Sequence, residues 1–392
     1  MGSLDGLKIL DFSTLLPGPY ASLMLADMGA EVLKISSAGK YDLVLDYGVR
    51  IDGTDMTACH AWLGRNKKTM FLNLKTPEAK QIVRQLIMEY DIILEQFRPG
   101  VMQRLGLGYE DLREINPRLI YCSLTGYGQT GPMRDAAGHD INYMSRSGII
   151  SHAGRKDGGP SLMNFQIADI AVGSLNSVIG ILAAVYHRQR TGQGQYIDVA
   201  MLDGCVPFNS LDGADFLVSG RQPEREGELL NGGCMYDYYE TSDGGYMSVG
   251  CLEPKFWEAF CRGIGREDLI EGTVRPENFA EIKKEIRAIF RTKTREEWTG
   301  IFAGTDACVQ PVLDLQEALL EDDQIRERDM VVDVSLPLHK EIKVKQLGTA
   351  IKLSETPCEY RFAGYPLGYH TREIIESLRL DYDALAANGV FD

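Results

Sequence analysis

Positive charge is what this chain is short of. Its 392 residues carry 41 Lys and Arg against 56 Asp and Glu, a net charge of −15. Such an envelope repels polyanions, which argues against nucleic acid and membrane surfaces as partners. A small anionic ligand is still allowed, because a few local cations can hold one. Cysteine pairs are missing too: the eight cysteines (59, 122, 205, 234, 251, 261, 308 and 358) include no CxxC and no Cys/His group at zinc spacing. No metal site is therefore expected. Scattered thiols and the lack of a secretory leader point to a cytoplasmic protein. No GxxxxGK[ST] exists, and LLPGPY, the first turn, lacks GxGxxG; the P-loop and the dinucleotide fingerprint are excluded. One uncharged run of seventeen residues, Ile170–Tyr186, sits at the lower edge of a membrane span. Ser174, Asn176 and Ser177 interrupt it and Asp169 and Arg188 bracket it, so a helix buried between domains is expected.

What is present is an alternation of apolar strands and helices. LKILDFS, EVLKIS, MFLNLK, DIILEQF and RLIYCSLTGYG read as strands, with YASLMLADMGA and a helix opened by Thr76-Pro77 among the connections. That order implies an α/β fold with a parallel, Rossmann-like sheet. The texture changes further on. Residues 1–224 form the large domain, 225–325 a small α+β domain with helices over EPKFWEAFCRGIG and AEIKKEIRAIFRT, and 326–392 a tail ending in TREIIESLRL.

Three side chains sit where acid–base chemistry is plausible. His139 follows Gly138 in a loop beyond a strand end, where open α/β sheets gather ligand contacts; the plainer alternative is a solvated loop histidine. Asp169 opens the long apolar helix, either as a simple N-cap or as a carboxylate in the positive field of a helix start. Glu253 lies among Cys251, Leu252, Phe256 and Trp257, a setting expected to desolvate it partly and raise its pKa; alternatively it is only a charge near a helix start.

Several long stretches carry a resemblance. LDGLKILDFSTLLPGPYASLMLADMGAEVLKIS, GRNKKTMFLNLK, EQFRPGVMQRLGLGYEDL, IYCSLTGYGQTGP, RQRTGQGQYIDVAMLDG and DACVQPVLDL resemble the family III CoA-transferase and α-methylacyl-CoA racemase superfamily across nearly the whole chain. The resemblance implies a large Rossmann-like domain whose sheet is built from both chain ends, a smaller domain between them, and two chains interlocked as a homodimer. It implies an acyl-CoA thioester as substrate. The backbone of Leu72, Asn73, Leu74 and Lys75 would line the adenine pocket. Arg98, Arg104 and Lys34 would meet the phosphates, and the pantetheine arm would run towards Gly138, Asp140 and Tyr143.

Two branches share this wording. Racemases use an aspartate matching Asp169 opposite a histidine from GHDINY, which stands at 138–143, with a glutamate from a segment like LEPKFW supporting the histidine; those residues are His139 and Glu253. Transferases use the matching Asp169 as nucleophile, and ADIAVGS at 168–174 is closer to their wording. The racemase reading leads: inverting a carbon α to a thioester needs two proton-transfer groups on opposite faces, and no cofactor beyond the CoA of the substrate. The alternatives are a CoA-transferase forming an aspartyl anhydride and a catalytically silent acyl-CoA-binding protein.

Overall fold

A computed structural model describes residues 2–270 and 274–392. Six strands, β1 (Lys8–Asp11), β2 (Glu31–Ser36), β3 (Lys67–Phe71), β4 (Ile92–Glu95), β5 (Ile120–Thr125) and β6 (Tyr196–Ala200), form one sheet in the order β3-β2-β1-β4-β5-β6. Every pairing is parallel. The chain order reverses between β1 and β4, and in open α/β sheets ligands bind beyond the carboxyl ends of the strands at that point. The α-helices up to residue 191 are α1 (Pro17–Asp27), α2 (Ala58–Leu63), α3 (Pro77–Leu86), α4 (Val101–Arg104), α5 (Tyr109–Arg113), α6 (Asp140–Arg146) and α7 (Leu175–Thr191).

Local chemistry explains where these elements stop. The third strand is KKTMF rather than MFLNLK, because after Leu72 the backbone turns away: the Asn73 N–H bonds the Val390 carbonyl at 2.8 Å. Thr76 then caps α3, accepting the Ala79 N–H at 3.2 Å. Ala79, Ile82, Val83 and Leu86 give that helix a buried stripe at helical spacing. It packs on a core of Leu10, Leu33, Ile93, Tyr121 and Ile375.

The chain divides into two compact units. Unit 1 holds residues 1–147, 165–206 and 323–392, and unit 2 holds 148–164 and 207–322. The bounds differ from the expected 225 and 325, since 148–164 and 207–224 join unit 2. Unit 2 has a three-stranded antiparallel sheet of β7 (Asp237–Glu240), β8 (Tyr246–Val249) and β9 (Val309–Pro311). Its core is aromatic: Tyr239, Phe260, Phe290, Trp298 and Phe302 stack or tilt against one another with ring centroids 5.0–6.3 Å apart.

The expectation that both chain ends build the parallel sheet is corrected: among the described residues all six strands lie between Lys8 and Ala200. The tail's strands, β10 (Val331–Ser335) and β11 (Lys343–Leu347), pair only with each other, antiparallel. The segment around His370 and Thr371 covers the outer edge of β3. There the His370 N–H bonds the Thr69 carbonyl at 2.9 Å, and Thr371 accepts the Phe71 N–H at 3.0 Å. An edge closed in this way offers no row of free N–H groups to another strand.

The uncharged run forms a wide π-helical turn, Ile167–Ser174, continuous with α7. The whole stretch Ile167–Thr191 is long and apolar enough to cross a membrane by length and composition alone. Its inner face is spent otherwise. Ser177, Val178, Ile181, Ala184 and Val185 are buried, and buried Arg188 pairs with Asp91 at 2.8 Å. The segment belongs to unit 1, and Leu175, Ile179 and Tyr186 leave its other face bare.

Candidate active site

A cavity of about 570 Å3 opens beside the carboxyl ends of β1, β2 and β3. Phe12, Thr14, Lys34, Ser36 to Asp42, and Val101 and Leu105 from α4 and its end line it, together with the whole expected quartet Leu72, Asn73, Leu74 and Lys75. Its size suits a nucleotide-sized ligand.

The cations around it divide. Lys75 is an exposed lining residue, and Arg98 and Arg104 are exposed outside the lining. Gly100, at φ 81°, lets the chain turn between those two arginines, and the Arg104 guanidinium lies over its Cα. Lys34 departs from expectation. It is buried, its ammonium donates to the Ser13 carbonyl and stands 3.5 Å from Asp11, so it is spent on the protein's own carboxylate. Asp11 is itself fully buried and accepts from the Ser13 N–H, the Ser13 hydroxyl and the Ser22 hydroxyl. Lys67 completes this group 3.9 Å from Asp11, its pKa lowered to about 7 by burial.

The second focus lies in the same unit. His139 precedes the first turn of α6 with extended backbone (φ −126°, ψ 174°), and its N–H donates to Asn142 Oδ1 at 3.0 Å. The imidazole makes no capping bond and is exposed. Next in the chain, Asp140 Oδ1 accepts the Asp169 N–H at 3.1 Å. That bond joins GHDINY to the start of the wide turn carrying Asp169. A π-type turn of this kind is rare and recurs at functional sites. Burial, and then the charge of Asp140, push the Asp169 carboxyl up to about 7. Burial also raises the Asp140 carboxyl, while the Asp169 and Ala168 N–H groups pull it back.

Tyr143 packs within its own loop. It is buried, its hydroxyl donates to the Gly138 carbonyl at 2.6 Å, and its ring lies edge-on to Tyr127. A methyl at Gly138 would come within 2.7 Å of that ring; the glycine is there for close packing. Glu253 is corrected as well. It ends the approach to the helix Pro254–Gly263 in unit 2 and is exposed, so the expected desolvation is not found within the chain. Among the described residues no group of three or more His, Cys, Asp or Glu is arranged to hold a metal.

Comparison with known proteins adds identity to this geometry. Residues 4–371 match the model of CoA-transferase family III. The chain belongs to that family. This family III chain is 36% identical over 378 residues to human alpha-methylacyl-CoA racemase, covering 95% of itself and 93% of that protein. It is 32% identical over 402 residues to mouse succinyl-CoA:glutarate CoA-transferase, covering 100% of itself and 91% of that protein. A crystal structure of a CAIB/BAIF family protein from Brucella suis superposes with a TM-score of 0.83 at 29% identity, over 96% of this chain and 99% of that one. Family III thus contains both racemases and CoA-transferases among this protein's relatives.

Sequence reasoning missed two features of the family III chain. The Asp11–Lys34–Lys67 group was hidden because its members are 23 or more positions apart, although a charged residue in each of three apolar strands was a usable signal. Asp42 was also missed, in a stretch without periodicity; its carboxylate accepts the Leu15, Val44 and Leu45 N–H groups.

Proposed function

We propose that this protein is a racemase or epimerase that inverts the α-carbon of a 2-methylacyl-CoA thioester through an enolate. The observation that carries the reading is the Asp140–Asp169 bond, which joins the histidine loop to the second carboxyl group. In one direction the His139 imidazole takes the α-proton from one face, and the electron pair moves onto the thioester oxygen as an enolate. The protonated Asp169 carboxyl delivers a proton to the opposite face. The reverse direction exchanges the two roles. A carboxyl near 7 can serve as either acid or base around neutrality. Only a proton moves in the net reaction, so no metal or redox cofactor is required.

The nucleotide end of the thioester would fill the 570 Å3 cavity against Leu72–Lys75. Arg98, Arg104 and Lys75 would take the phosphates, as guanidinium and ammonium groups do, and Lys34 leaves that list. The pantetheine arm would pass the Gly138–Asp140 backbone. An interlocked homodimer is part of the same proposal, supported by the bare apolar face of α7; sedimentation equilibrium should give twice the chain mass.

The second reading is a CoA-transferase, favoured by the ADIAVGS wording and by relatives such as the mouse enzyme. There the Asp169 carboxylate attacks the thioester carbonyl and expels CoA thiolate, leaving an aspartyl anhydride. Incubation of a 2-methylacyl-CoA in D2O without an acceptor acid separates the two. Deuterium at the α-carbon with loss of stereochemistry, abolished in His139→Ala and Asp169→Ala, supports racemisation. No exchange, with CoA passing to an added carboxylate only while Asp169 is intact, would overturn it.

A further inference from the structure

A continuous set of contacts runs from the wall of the 570 Å3 cavity to the backbone of Asp169, all inside unit 1. It starts at Asp42, which lines the cavity beside Lys40 and Tyr41. Asp42 Oδ1 accepts the Val44 and Leu45 N–H groups at 3.0 and 3.2 Å, holding its own loop in a turn. Its Oδ2 accepts the Leu15 N–H at 3.0 Å, twenty-seven positions away. Leu15 has φ 61°, a left-handed conformation that a branched side chain adopts only when its surroundings hold it there. Two residues on, the Pro17 carbonyl accepts the Ser174 hydroxyl at 2.6 Å, and the same hydroxyl lies 3.1 Å from the Asp169 carbonyl. The approach is close all along: a methyl added at Gly173 would meet the Pro17 ring at 3.2 Å.

We infer that Asp42 is a positioning residue, which couples filling of the cavity by the nucleotide end of the substrate to the alignment of Asp169. This rests on the reading that the cavity takes the nucleotide and that Asp169 carries the chemistry. A ligand packed against Lys40–Asp42 fixes the loop, the loop fixes the strained Leu15 turn, and Pro17 and Ser174 fix the carbonyl of Asp169. Binding energy from a part of the substrate that does not react is thereby used at the reacting carbon. A misplacement of about 1 Å there is worth up to roughly a hundredfold in rate.

The test splits the substrate in two. The full chain is given a 2-methylacyl-pantetheine thioester, which lacks the nucleotide, with and without adenosine 3′,5′-bisphosphate. In the wild type the bisphosphate should raise the turnover number for α-proton exchange about tenfold. Asp42→Ala should still bind the bisphosphate in calorimetry but show no activation. On the intact CoA thioester its kcat should fall about tenfold while KM moves less. Asp42→Asn, which keeps one acceptor oxygen, should recover part of the activation. Ser174→Ala cuts the far end of the path and should lose activation with bisphosphate affinity unchanged. The inference is overturned if the bisphosphate does not activate the wild type, or if Asp42→Ala is activated as fully as wild type. It is equally overturned if Asp42→Ala raises KM alone. A wild type that transfers CoA through Asp169 without exchanging the α-proton sinks the racemase reading only; the same comparison is then made on the transfer rate.

Discussion

Asp140 accepts the backbone N–H of Asp169 at 3.1 Å, so the residue that comes after His139 caps the helix that carries Asp169. The bond has two consequences of opposite kind. It fixes where Asp169 sits, and the charge that makes it also raises the Asp169 carboxyl, second only to burial.

Asp140→Asn separates these consequences, because the amide oxygen can still accept the N–H while the charge is gone. The Asp169 carboxyl should then fall from about 7 towards the usual carboxylate range. On the racemase reading, in the direction that uses Asp169 as the acid, the alkaline limb of kcat should move to lower pH, by up to about one unit. In the opposite direction, where Asp169 is the base, the acid limb should move the same way. Rates measured from each enantiomer across pH 5–9 check this, and a profile that stays put would show that burial alone sets the carboxyl.

Stability should carry the same signature. A carboxyl raised to about 7 in the folded chain, against roughly 3.9 unfolded, holds its proton more tightly when folded. The folded state therefore loses relative stability as pH rises from about 4 to 7, and the loss is complete above 7. Asp169→Asn removes that dependence. Relative to wild type it should gain about 1–2 kcal/mol at pH 8 compared with pH 4.5, read from urea midpoints, a figure discounted for partial solvent access. Glu95, buried and raised to about 7 as well, contributes the same slope to both proteins and cancels in the difference.

Lys34 and Arg98 should part company under mutation. Lys34→Met removes a buried partner of Asp11 and should cost about 3 kcal/mol of stability, with CoA affinity little changed once the protein is folded. Arg98→Ala, at an exposed site, should leave the denaturation midpoint where it was and weaken CoA binding about tenfold. Calorimetric titration with free CoA beside a denaturation curve distinguishes the two; a large affinity loss in Lys34→Met would return that ammonium to the phosphate site.

Much of the fold was legible because it is local. The βαβ alternation, the Thr76 cap and the stripe of α3 all depend on neighbours within one or two turns. Leu72 to Lys75, which the family resemblance singled out, are four consecutive residues beyond β3 and line one cavity together. Glu253 failed because apolar neighbours in sequence do not bury a residue whose side chain turns outward. The tail lies outside the parallel sheet that the family resemblance implied, because β10 and β11 pair with each other instead.

The sequence by itself determined the order of strands and helices and the residue types brought to each strand end, since periodicity and capping act over a few positions. It also carried the paired motifs GHDINY and ADIAVGS. Only the tertiary structure decided which charge meets which partner. Asp140 reaches Asp169 across 29 positions, Asp11 claims Lys34 across 23, and Asp42 holds Leu15 across 27. A buried polar group must find a hydrogen-bonding partner, and which one it finds is settled by the packing of distant segments.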